Sequence, residues 1–160
     1  MTSQTKTLSE AIACQGISVR TTNNAEISFE TAKLGRLWQK FYQEHMGKLP
    51  EGEDIYGIYL NYESDDLVGA FDVVASWKVD SEQAQQSAGD VVAVNIPAGK
   101  YLVFSETGHM PNTVMNAWEK AWEYFHNPDC AHSRTFDVDF EHYIDGNLEY
   151  GQVDLYIGIN

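Results

Sequence analysis

The chain has 160 residues, of which 43% are apolar and 21% charged, and 24 acidic against 10 basic side chains give it a net charge of −14 at pH 7. That is one domain of ordinary size, able to bury a core without metal or disulfide staples, and its field repels phosphate backbones, which argues against direct nucleic-acid binding. No run approaches the ~18 apolar residues of a membrane span, residues 1–9 lack the apolar stretch of a secretory signal, and two distant cysteines, Cys14 and Cys130, fit a reduced compartment, so no membrane partner is expected and the cytoplasm is the expected location.

In chain order, residues 1–10 read as a polar tail and residues 17–22 as a short strand followed by an Asn23-Asn24 turn. A helix follows, with Ser28 as its N-cap and Leu34, Leu37, Trp38, Phe41 and His45 recurring at helical spacing until Gly47 and Pro50 stop the pattern. Residues 55–62 and 71–78 are two β-rich runs joined by a polar turn, so the first half, about 11–80, reads β-α-β-β. Residues 80–89 have the composition of an exposed linker.

The second half, about 90–160, repeats the order. Extended segments at 91–96 and 101–106 flank Pro97-Ala98-Gly99; Pro111 suits a first helical turn, and Val114, Trp118, Ala121, Trp122 and Phe125 form a helical stripe. The segment from His126 to His132 holds two His, Cys130 and Asp129, but its spacing is irregular and it reads as a helix-to-strand loop, with no metal or cofactor expected. A strand over 134–143, a turn at Asp145-Gly146-Asn147 and a final strand over 153–159 complete the second unit.

The 134–143 run carries the functional signal. Its period-two alternation puts Phe136, Val138 and Phe140 on one face and Asp137, Asp139, Glu141 and Tyr143 on the other. A surface of carboxylates and rings suits an organic cation; a half-exposed strand with acids facing water accounts for the pattern equally well. The repeat narrows the choice. Trp38 and Tyr42 match Trp118 and Trp122 at an offset of 80, and Ile55, Tyr59 and Tyr62 match Phe136, Phe140 and Tyr143 at an offset of 81, which sets Glu141 against Leu60. The expected fold class is α+β: duplicated β-α-β-β modules related by a pseudo-twofold, helices on one side of antiparallel sheets, and a ligand cleft between the halves. Parity places Tyr143, Tyr56, Ile58, Leu60 and Tyr62 beside Glu141, while Asp137 and Asp139 become strand-end or surface acids. Trp38, Trp118 and Phe125 are expected in the core. The candidate ligand-binding set is Glu141, Tyr143, Tyr56, Leu60, Tyr62, Phe71 and Trp77, with no catalytic residue.

Residues 16–24, Trp38, residues 55–62, 96–101, 118–122, 139–143 and 153–159 together resemble the gyrase-inhibitor-like effector-binding domain, which also occurs at the C-terminus of AraC-type and MerR-type regulators. The resemblance implies a pocket between the halves whose acidic residue receives cationic, often lipophilic, compounds, and by motif position that role falls on Glu141. Regulators of this type carry an N-terminal helix-turn-helix, which the ten residues before the domain do not supply. The chain thus resembles the stand-alone form carried on integron gene cassettes, and a link to transcription implies a separate DNA-binding or target protein. Two other classes stay open. Some relatives of the family hydrolyse reactive electrophilic compounds, although no Ser-His-Asp order, Gly-x-Ser-x-Gly elbow or His-Glu-x-x-His helix is present; others are acidic inhibitors that bind a protein target. Haem binding, with only His45, His109 and His142 as loose candidates, ranks below these.

Overall fold

The computed structural model describes residues 3–27, 32–45, 47, 49, 53–63, 69–79, 91–110, 112–146 and 149–160. The expected N-cap Ser28, Pro50, most of the polar turn after residue 63, the linker at 80–89, Pro111 and Asn147 lie outside these residues. The elements are β1 (Ser3–Leu8), β2 (Ile12–Thr21), α1 (Asn23–Ile27), α2 (Leu34–Glu44), β3 (Ile55–Leu60), β4 (Phe71–Lys78), β5 (Val92–Ile96), β6 (Gly99–His109), α3 (Asn112–His126), β7 (Arg134–Tyr143), a single 3-10 turn (Ile144–Gly146) and β8 (Tyr150–Ile159). The architecture is α+β with one antiparallel sheet in the order β1-β6-β8-β7-β3-β4-β2-β5. The two halves meet at the β3–β7 pair, which joins their strands into this one sheet.

Exchange at the sheet edges ties the halves together. Residues 3–8, read as a polar tail, pair with β6 of the second half, and β5, which opens the second half, pairs with β2 of the first. An edge strand needs few apolar residues because one side of its ladder faces water. Asn23 and Asn24, read as a turn, instead open the short helix α1, capped by Thr22 Oγ1, which accepts the Ala25 N–H at 2.9 Å.

Strand parity sorts the core onto two faces. On the helix side, α2 lays Leu37 and Phe41 over Ile17, Ile55, Val73, Ala75 and Tyr143, and α3 lays Ala117 and Ala121 over Phe104, Leu155 and Ile157. The opposite face collects Tyr56, Ile58, Val74, Phe140 and Tyr156 with Leu8 and Ile96 from the two edge strands, so the sheet curls around this second layer. The α3 stripe is rotated from the expected one: Thr113, Ala117 and Ala121 are buried, whereas Trp122 is exposed. Small side chains let α3 sit close to the sheet, with Thr113 Oγ1 donating to His109 O at 2.7 Å. No described helix is long and apolar enough to cross a membrane.

Candidate functional site

Between α2 and α3, on the helix side of the sheet, lies a cavity of about 930 Å³. Its walls are aromatic: Trp38, Tyr59, Tyr62, Phe71, Trp118 and Tyr143. Tyr42, Met115 and Trp122, three of the large apolar residues that remain exposed, form its rim.

Glu141 on β7 lies in the wall with only 2% of its surface exposed. Its Oε2 accepts Tyr59 O–H at 2.7 Å and Trp118 Nε1–H at 2.6 Å, and its Oε1 accepts Tyr143 O–H at 2.7 Å. Among the described residues no basic side chain reaches it. Burial pushes its carboxyl pKa up from an ordinary value of 4.5, and the three donors pull the other way without cancelling the effect. Burial, reinforced by the neighbouring carboxylate, also holds the Tyr59 and Tyr143 hydroxyls well above the ordinary tyrosine range, so both remain donors.

The arrangement has a local twofold. Gly57 on β3 is the cross-strand partner of Glu141. Trp38 meets Tyr143 edge-on with ring centroids 5.3 Å apart, and Trp118 meets Tyr59 at 4.8 Å, so one tryptophan and one tyrosine from each half flank the Gly57–Glu141 pair. Gly57 leaves room for the carboxylate: a Cβ there would stand 2.7 Å from Glu141 Oε1.

Four of the seven residues proposed from sequence, Glu141, Tyr143, Tyr62 and Phe71, lie in the cavity wall; the other three do not. Tyr56 and Leu60 belong to the opposite face, where Tyr56 stacks on His142 at 4.6 Å. The reason is register. Opposed residues of an antiparallel pair share a face, and the ladder pairs Gly57 with Glu141 and Tyr59 with Asp139, odd with odd, so an offset of 81 is excluded and Glu141 does not face Leu60. Trp77 is on the helix side but packs against Phe41 and His45, away from the cavity.

Sequence reasoning missed Tyr59, Trp38 and Trp118. Both tryptophans pack against the core, as their helical spacing implies, but they also border the cavity, and the signal that marks them is their match at an offset of 80. Asp139, expected at the surface, is 0% exposed. Its Oδ2 accepts Arg134 Nη2–H at 2.7 Å and Tyr62 O–H at 2.5 Å, and its Oδ1 accepts the Gly158 N–H at 2.9 Å. Phe136 departs from the alternation as well: it has φ of 51°, the β7–β8 register breaks between Arg134 and Asp139, and its ring meets Tyr62 rather than joining Val138 and Phe140. At the α2 end of the cavity Glu26 caps the helix, accepting the Lys33 and Leu34 N–H groups at 2.9 and 3.1 Å. Among the described residues no group of three or more His, Cys, Asp or Glu is placed to hold a metal ion.

A duplicated α+β body with a buried carboxylate in an aromatic cavity defines a small-molecule-binding class. The chain belongs to the Cass2 family of integron-associated effector-binding proteins, which it matches over residues 8–159. It is similar to an integron cassette protein from the mobile metagenome of Vibrio cholerae, with 36% identity, a TM-score of 0.86, and coverage of 100% of this chain and 97% of that one. Two more distant structures share the fold: SAV2435 bound to tetraphenylphosphonium, at 20% identity and a TM-score of 0.71 with 100% and 94% of the chains covered, and the EcmrR C-terminal domain, at 14% identity and 0.63 with 99% and 96% covered. No curated protein matches the sequence significantly.

Proposed function

We propose that this effector-binding protein accepts lipophilic organic cations, with Glu141 as the counter-charge and Tyr59, Tyr143, Trp38 and Trp118 as the rings around it. The observation that carries the reading is the Glu141 carboxylate, buried in the wall of a roomy aromatic cavity and held by three neutral donors with no basic partner among the described residues. An unpaired buried carboxylate is costly, and an incoming cation removes that cost. At roughly 4 Å and an effective dielectric near 20, the attraction is of order 4 kcal/mol before desolvation is subtracted, and each ring face adds about 0.5–2 kcal/mol. Both terms depend on charge and flatness more than on outline, so the site tolerates varied shapes.

The likeness to SAV2435, which binds tetraphenylphosphonium, supports the choice of ligand class, and the family description supports binding over turnover. The protein then acts as a sensor or sequestering module, and any effect on transcription runs through a separate DNA-binding or target protein. Calorimetric titration with tetraphenylphosphonium tests the reading. Glu141→Gln is expected to weaken binding at least about tenfold, ~1.4 kcal/mol; equal affinity in the two proteins removes Glu141 from the role.

A further inference from the structure

The same cavity carries a second charge, of opposite sign. Arg134 borders the cavity although its side chain is only 6% exposed. Its Nη2 bonds Asp139, its guanidinium lies 4.1 Å over the Phe136 ring, and its Nε is buried with no hydrogen-bond partner among the described residues. Asp139 is outside the cavity wall, and both its oxygens are occupied. A buried ion pair therefore turns its positive end to the cavity.

The backbone is distorted where this happens. Phe136 holds a left-handed φ of 51° without being glycine, and three extra residues of β7 are accommodated between the Arg134–Ile159 and Asp139–Ile157 pairings. Such bulges re-aim side chains, and such outliers concentrate at functional sites. Glu141 stands two residues beyond Asp139 on the same strand, ~7 Å by the strand repeat, and Arg134 and Glu141 both line the cavity.

We infer that the natural ligand is a zwitterion: a lipophilic cation that also bears an anionic group, with its cationic centre at Glu141 and its anion at Arg134. This rests on the cation site proposed above. A simple cation leaves the positive end of that ion pair unused, whereas a zwitterion uses both sites. The planar guanidinium also offers a fork of donors matched to a carboxylate.

Two probes of nearly equal shape separate the readings: (4-carboxyphenyl)triphenylphosphonium and (4-methylphenyl)triphenylphosphonium. In the wild-type protein the carboxylate compound is expected to bind about tenfold tighter than the methyl compound, the size of one charge-assisted, forked contact. The double substitution Arg134→Leu with Asp139→Asn removes both charges and leaves no buried ion unpaired; there the preference should vanish or reverse, with binding of the methyl compound reporting an intact cavity. Arg134→Lys, which keeps the charge but loses the fork, should cut the preference several-fold and serves if the double variant does not fold. No preference for the carboxylate compound in wild type overturns the inference, as does a preference that survives loss of Arg134. If the methyl compound binds and Glu141→Gln abolishes that binding, the cation site stands whatever happens to the zwitterion; if neither compound binds, both readings fall.

Discussion

Gly57 and Glu141 face each other across the β3–β7 pair at the centre of the sheet, and the space a Cβ would take at residue 57 is already filled: it would stand 2.7 Å from Glu141 Oε1 and 3.0 Å from Trp38 Cζ2. The residue is glycine because a carboxylate lies over it. Gly57→Ala should push the Glu141 side chain off its Tyr143 bond and crowd Trp38. The expected outcome is a loss of about 1–3 kcal/mol in stability from overpacking and about tenfold weaker binding of tetraphenylphosphonium, ~1.4 kcal/mol. Denaturant melts and titration measure the two separately; unchanged affinity would show that ligands do not depend on this carboxylate.

The raised pKa of Glu141 fixes the sign of two pH effects. A permanent cation binds the ionised carboxylate, so its affinity should fall as pH drops through the pKa of the free protein, and binding should release protons, read as a dependence of calorimetric enthalpy on buffer. Stability moves the other way. Because burial raises the folded-state pKa above the ordinary 4.5, the folded protein holds this proton when the unfolded chain has lost it, and the contribution of Glu141 to stability falls as pH rises from the unfolded value through the folded one. Glu141→Gln should therefore melt at a temperature equal to or above that of wild type at neutral pH, with a smaller gain near pH 4. A Gln variant less stable at neutral pH than at pH 4, relative to wild type, contradicts the assignment.

Tyr59 and Tyr143 donate to different oxygens of one carboxylate, and each hydroxyl stabilises the ionised form. Tyr59→Phe or Tyr143→Phe should raise the Glu141 pKa further and weaken cation binding by about tenfold or more at pH 7, the ~1.5–3 kcal/mol of a hydrogen bond to a charged group. The part of the deficit that comes from protonation should shrink as pH rises and the carboxylate ionises in both proteins. Tyr56→Phe, on the opposite face of the sheet, should leave the titration curve where it is.

That contrast between Tyr56 and Tyr59 marks how far the sequence can be read. The apolar stripe of α2, the presence of α3 though not the rotation of its buried face, and the β-rich runs of β3, β4 and β8 are legible because each is a pattern within one segment. The alternation marks Glu141 only as one of three acids on a strand; its motif position in the family resemblance singles it out, since the ladder excludes the offset of 81 that set it against Leu60. Register is not legible, since it belongs to the ladder between two strands, and a slip of one residue exchanges every side chain between faces. The ladder sets Tyr59 on the face of Glu141 and Tyr56 and Leu60 on the other. Helical spacing places Trp38 and Trp118 on an inward face but does not distinguish packing against a core from lining a cavity. Residues 3–8 gave no signal because their strand is made by pairing with β6, not by their own composition.

The alternation makes Asp139 a strand-end or surface acid, because nothing in it foretells the bulge at Phe136 that brings Arg134 against it. Its burial makes it a structural residue with a large expected effect. Asp139→Ala leaves the Arg134 guanidinium, the Tyr62 hydroxyl and the Gly158 N–H without their acceptor in a region closed to water. Breaking one partner of a buried pair costs about 3–5 kcal/mol, a large fraction of the ~5–15 kcal/mol that holds a domain folded. Urea denaturation should show the midpoint fall accordingly, and the Arg134→Leu, Asp139→Asn double variant should recover part of the loss, because it removes the stranded charge along with its partner. A single Asp139→Ala variant as stable as wild type would mean that the ion pair is open to water and that Arg134 does not hold its position through it.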